Sequence, residues 1–132
     1  MRFEDKRLMP SDYSAQELAT ISLIDKQLEA YNARDIEAFV ATYHDDIEVY
    51  TLTGGLQYQG KPTLKAKYAV KFAGLKYLHA TSLTRIVQGQ YLVDHELAES
   101  ASEDENTIDR SVKVIAAYEV EQGLIRRVTF MG

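Results

Sequence analysis

A histidine set among tyrosines is the constellation in this chain with the most chemistry to offer. His95 lies in the run Asp94-His95-Glu96, and Tyr43, Tyr68 and Tyr118 stand in segments with apolar patterning. Imidazole titrates near neutrality, so His95 can take or give a proton, and a phenol beside it can polarise an oxygen. Glu99, on the same stretch, is a second group able to carry a proton. The bland alternatives are a hydrogen-bonded core histidine, packed tyrosines with satisfied hydroxyls, and a solvated glutamate at a strand end.

Other chemistries find less support. Neighbours along a strand point to opposite faces, so Asp94, His95 and Glu96 do not chelate one ion. His44, His79 and His95 have no ligand spacing and cysteine is absent, so no metal is expected. There is no G-x-G-x-x-G, P-loop or nucleophile elbow, and Gly54-Gly55 and Gly89 read as turn glycines; no cofactor is expected. Lys61, Lys65, Lys67, Lys71 and Lys76 are spread around one segment, which suits a solvated helix surface better than an anion patch. A net charge of −5 disfavours nucleic acid and anionic membranes. No apolar run approaches the length that spans a bilayer, and the first residues lack a signal-peptide core, so a soluble cytoplasmic protein is expected.

The elements that must position these groups follow from spacing. With 132 residues and 45% hydrophobic content, the chain suits one packed domain, 14–132, after an N-terminal arm, 1–13, whose Phe3, Leu8 and Met9 can pack on the body. Ser14 and Glu17 have capping-box spacing. Leu18, Ile21, Ile24 or Asp25, Leu28 and Tyr31 then form a helical stripe ending near Asn32-Ala-Arg34. Asp35 caps a short second helix with Ile36, Phe39, Val40 and Tyr43 on one side, which His44-Asp45-Asp46 breaks. Residues 47–53 and 56–59 read as a hairpin. Pro62 begins a third helix, with Leu64, Tyr68, Phe72 and Leu75 inward. From 77 onward the pattern is strand: 77–87, 91–101, 108–120 and 124–131. A two-residue turn at Gly89-Gln90 sets Arg85 opposite Asp94, Ile86 opposite Val93 and Thr84 opposite His95. Helices first and sheet afterwards predict an α+β fold: three N-terminal helices on a strongly curved, mostly antiparallel sheet that encloses a cone.

The helix end YNARD, the run YHDDIEVY, the glycine turn, GKPTLKAKYA, and the segments RIVQGQYLVDHE and YEVEQGLIRRVTF together resemble the SnoaL-like branch of the nuclear transport factor 2-like superfamily. The resemblance covers most of the chain from Leu18. It implies a cone-shaped pocket between the helices and the sheet; the histidine and tyrosines on inward positions motivate the expectation of a small apolar, cyclic, oxygenated molecule within it. The resemblance also implies a homodimer through the outer sheet face; the strand reading puts Leu83, Arg85, Asp94 and Glu96 there, where a dimer contact and an exposed surface with ordinary cross-strand pairs are the alternatives. Isomerases, dehydratases, cyclases and non-catalytic association domains share this architecture, so the fold alone assigns no activity.

Ketosteroid isomerase, whose chemistry uses a carboxylate base and an oxyanion hole of tyrosine and protonated aspartate, gives a specific comparison. Matching this chain to that family puts the base position on Thr51, the first-helix tyrosine on Gln27 and the oxyanion aspartate on Ala116; only Tyr68 matches a pocket tyrosine. Thr51 does not abstract a carbon-bound proton at neutral pH. The same matching implies an inward face of His95, Leu97 and Glu99 with Ala116, Tyr118, Val128 and Phe130. His79 falls on the opposite face unless a bulge turns it inward. The expected site is thus catalytic His95 with Gln27, Tyr43, Thr51, Tyr68, His79, Leu97, Glu99, Ala116, Tyr118 and Phe130 lining it. Binding without chemistry is the competing expectation, since the family's carboxylate base is missing.

Overall fold

The computed structural model describes residues 12–132, and the proposed packing of Phe3, Leu8 and Met9 lies outside them. Three helices, α1 (Ala15–Ala33), α2 (Ile36–Val40) and α3 (Lys61–Gly74), cover one side of a six-stranded sheet. Its strands are β1 (Tyr43–Thr51), β2 (Gly55–Gln59), β3 (Tyr77–Gln88), β4 (Tyr91–Ala101), β5 (Arg110–Glu121) and β6 (Leu124–Met131). Their order is β2-β1-β6-β5-β4-β3, antiparallel except where β1 runs parallel to β6. The α+β expectation holds, and the curled sheet with its helical cover makes the cone.

Local chemistry sets the helix starts. Ser14 Oγ accepts the Glu17 amide, and the Glu17 carboxylate accepts the Ser14 amide. The other Glu17 oxygen accepts the Gly89 amide at 2.9 Å, and Thr20 donates to the Gly89 carbonyl, so the first turn of α1 also holds the β3–β4 turn. This use of Thr20 rotates the buried face of α1 to Thr20, Ile24, Gln27 and Tyr31, leaving the expected stripe member Leu18 half exposed. Asp35 caps α2 through the Ala38 amide. The helix is shorter than its apolar stripe suggests: Tyr43 begins β1, and His44-Asp45-Asp46 are strand residues, because Tyr43 already pairs with Ile125 of β6.

Two side chains fasten the helices to strand backbone. Asn32 donates to the Ala80 carbonyl and accepts the Ala80 amide, which occupies the open side of the edge strand β3. That covers an edge otherwise free to pair with another chain. Arg34, in a left-handed conformation at the end of α1, donates to the carbonyls of Phe72 and Leu75 at the end of α3. Between them lies a cluster of Tyr31, Phe39, Tyr43, Tyr68 and Phe72, with the Phe39 and Tyr68 ring centres 4.6 Å apart. Phe39 is fully buried, so truncating it to alanine costs about 3–5 kcal/mol.

The β3–β4 hairpin has the expected register beside its turn: Arg85 faces Asp94, Ile86 faces Val93 and Thr84 faces His95. Beyond Thr84 a bulge intervenes, and Ser82 faces Glu96 while His79 faces Glu99.

Candidate functional site

The face of β4 that looks into the cone is the opposite of the expected one. Side chains directly across adjacent strands share a face. Ala116 of β5 is fully buried under the helices, and its partners are Asp94 on β4 and Phe130 on β6. The inward residues of β4 are therefore Leu92, Asp94, Glu96 and Ala98. A one-residue difference in register turns every side chain over. His95 belongs to the outer row Thr84–His95–Ile115–Met131 and does not reach the cavity. Leu97, between Thr81 and Lys113, is outer as well. Glu99 sits at the cavity mouth on a position that faces His79. His79 is brought to the same face as His95 by the bulge, but that face is the outer one, where its ring stacks on Tyr77. The expected dimer-face positions Asp94 and Glu96 are likewise corrected: they are 0% and 8% exposed, beneath α1 and α3.

A cleft of about 510 Å³ enters between α3 and the ends of β4 and β5, lined by Tyr31, Tyr68, Leu75, Leu78, Ala98, Val112, Val114 and Phe130. It adjoins an inner chamber of about 90 Å³ that shares Tyr31, Tyr68, Lys71, Ala98, Val114 and Phe130 and adds Gln27, Glu96 and Tyr118. Such volumes and mostly apolar walls suit a small ligand. Among the expected residues, Gln27, Tyr68, Tyr118 and Phe130 meet here. Tyr43 lies behind Gln27, whose Nε2 donates to the phenol oxygen at 3.1 Å. Ala116, fully buried between Asp94 and Phe130 on the inward face, lines neither chamber. Thr51 is drawn away: its hydroxyl accepts the Gly54 amide and the Gln57 side chain, and it lines a separate, shallower cleft beside Phe130.

The group the sequence reading missed is the carboxylate system of β4. Asp94 is fully buried and held by Arg85, with Nε to Oδ1 at 2.7 Å and Nη2 to Oδ2 at 3.0 Å; Ser82 donates to Oδ1 at 3.0 Å. Arg85 also grips Asp25 of α1 at 2.6 Å. This network clamps α1 to the sheet and leaves Asp94 occupied. Glu96 has no such arginine fork. Burial, then the neighbouring Asp94 charge, push its carboxyl up to about 7, against the smaller pull of Arg85 and Lys71. It is therefore poised between acid and base near neutral pH. The hydroxyls of Tyr43, Tyr68 and Tyr118 lie in its electrostatic range, and burial raises all three far above the ordinary phenol value, so they stay protonated and can donate. Gln27 contributes the opposite function. It is 7% exposed, and its Oε1 is a buried acceptor without a partner among the described residues.

The mouth carries charge. The Lys71 ammonium lies over the rings of Tyr31 and Tyr68, at 5.2 and 5.7 Å from their centres, and Arg110 enters the same cleft from β5. The other α3 lysines do pair at the surface: Lys61 with Asp45, Lys65 with Glu37, and Lys67 over Tyr58. No group of three potential metal ligands occurs among the described residues, and none of their helices is long and apolar enough to cross a membrane.

Residues 24–128 match the model of the SnoaL-like domain, and the chain belongs to that family. No curated protein matches it. Solved structures share the fold. A cystatin-fold protein from Novosphingobium aromaticivorans superposes with a TM-score of 0.76 at 24% identity, over 86% of this chain and 97% of that one. An epoxide hydrolase of the LEH-like type from M. tuberculosis gives 0.72 at 13%, over 87% and 83%. A protein with a ketosteroid isomerase-like fold from Catenulispora acidiphila, solved with trimethylamine, gives 0.68 at 12%, over 82% of each chain.

Proposed function

We propose that this SnoaL-like domain binds a small apolar, oxygenated ring compound in the cone and moves a proton on it, in an isomerase-, dehydratase- or cyclase-type reaction. The observation that carries the reading is Glu96, a buried carboxyl at about 7 on the wall of the inner chamber. As carboxylate it takes a proton from a carbon beside a carbonyl; as acid it returns one to another atom of the same molecule. The neutral phenols of Tyr68 and Tyr118 donate to the oxygen on which charge develops. His95 has no part in this step, since it is on the outer face.

The same proposal includes a homodimer. Leu83, Ile86, Tyr91 and Ile115 are exposed, and the rows through Ile86–Val93–Ala117 and Thr84–His95–Ile115 make the outer face of β3 to β5 apolar. A self-complementary apolar sheet face suits a two-fold contact.

The test is proton exchange. Cyclohex-3-enone and 2-tetralone are incubated with the protein in D2O, and deuterium uptake is followed by mass spectrometry. Uptake above the buffer rate, lost in Glu96→Gln and retained in His95→Ala, is the expected result. Binding of both ketones with no exchange above buffer would make the domain a binding module without chemistry and overturn the proposal.

A further inference from the structure

The two ends of the cavity differ in what they ask of a ligand. At the inner end, the donors in range are the phenols of Tyr43, Tyr68 and Tyr118, while Gln27 Oε1 is a buried acceptor without a hydrogen among the described residues. A buried acceptor left unmatched by the protein's own donors is unfavourable, so a ligand that brings a donor to that point is favoured there. Glu96, on the same wall, opposes an anion there when ionised. At the outer end the balance reverses. Lys71 is held across two tyrosine rings, and Arg110 lines the same cleft; these are cations at one opening of a chain with net charge −5. Glu99 is at this rim too, but its strand position directs it toward His79 on the other face. Between the ends the walls are Leu75, Leu78, Val112 and Val114.

We propose that the cavity takes an apolar molecule with one anionic group, such as a carboxylate, turned outward to Lys71 and Arg110, and one hydrogen-bond donor turned inward to Gln27 Oε1. The proposal rests on the cone being a binding site but not on Glu96 chemistry. It assigns the ligand class and its direction in the pocket, which the proton-transfer reading leaves open.

Three probes separate the two ends: 4′-hydroxybiphenyl-4-carboxylate, biphenyl-4-carboxylate, which lacks the donor, and 4-hydroxybiphenyl, which lacks the anion. Affinities are measured by calorimetry at pH 7 and low salt. The hydroxy-acid binds tightest. Lys71→Gln with Arg110→Gln weakens both carboxylates by about fivefold or more, the scale of exposed charge pairs, and leaves 4-hydroxybiphenyl within twofold. Added salt has the same selective effect. Gln27→Leu weakens the two hydroxylated probes and leaves biphenyl-4-carboxylate within twofold. If Gln27→Leu does not fold, the two acids compared on the unaltered protein read the same contact. Ala98→Trp, at a position that lines both chambers, puts an indole across the path between them and abolishes binding of all three. Equal affinity of the hydroxylated and unhydroxylated acids, or equal loss of charged and uncharged probes in the cation double variant, overturns the proposal while leaving the cavity a binding site. Failure of every probe to bind, or binding that survives Ala98→Trp, overturns both readings. Failure of the proton-exchange test alone leaves these affinities unmoved.

Discussion

Replacing Glu96 by glutamine removes an ionisable group from a wall where ionisation is costly, and the effect on stability has a definite sign. The folded carboxyl holds its proton up to about 7, whereas the unfolded one releases it near 4.5. Between those values the folded state binds more protons than the unfolded, so wild-type stability falls as pH rises through the window. Below it the contribution is fully present; above it the loss is complete. A gap from 4.5 to about 7 corresponds to about 3 kcal/mol. Glutamine nearly matches the neutral acid in shape and keeps a donor, so Glu96→Gln equals wild type near pH 4.5 and exceeds it by about 3 kcal/mol at pH 8. For a domain of this size that is roughly 10 °C in melting temperature. Urea unfolding at half-unit intervals from pH 4.5 to 8 measures it. Two parallel stability curves, differing by the same amount at every pH, would refute the reasoning.

Other perturbations have equally defined outcomes. Arg85→Gln strips the fork from fully buried Asp94 and is expected to cost about 3–5 kcal/mol, partly restored by adding Asp94→Asn; denaturant midpoints check it. Asp25→Asn, at the exposed end of the same arginine, costs under about 1 kcal/mol. Tyr43→Phe deprives Gln27 Nε2 of its buried acceptor and costs about 1–3 kcal/mol in the same assay. Ile115→Glu puts a charge in the outer apolar row and halves the mass found by light scattering; an unchanged mass would remove that face as the dimer contact.

Much of the fold was legible because local signals agreed with one another. Ser14 with Glu17 and Asp35 before Ile36 mark helix starts by capping chemistry, and Pro62 stands in the first turn of α3, which starts one residue earlier at Lys61 with no side-chain cap. The Gly89-Gln90 turn and the Arg85–Asp94 pair gave the hairpin register beside the turn. What stayed hidden was which side of β4 faces in. Both of its sides are mixed: Asp94 and Glu96 alternate with His95 and Leu97, so periodicity has no clear apolar face to report. The usual rule points the wrong way here, because the inner face carries the acids and the outer one Val93, Leu97 and Ile115. One signal existed. Asp25 interrupts the apolar stripe of α1, and an acid there is most simply explained by a cation beneath it, which is the part-buried Arg85. Following that pair would have turned Asp94 and Glu96 inward. The bulge between Ser82 and Thr84 and the lateral reach of Lys71 over Tyr31 have no counterpart in sequence spacing.

The central claim is that Glu96 is a cavity acid poised for proton transfer, and its own titration tests that directly. With glutamate labelled at Cδ, the Glu96 carbon resonance, assigned by its loss in Glu96→Gln, is followed by NMR from pH 4 to 9. A midpoint near 7, moving higher in Lys71→Gln as the helping cation is removed, is the predicted result. A midpoint near 4.5, unmoved by Lys71→Gln, would contradict the account.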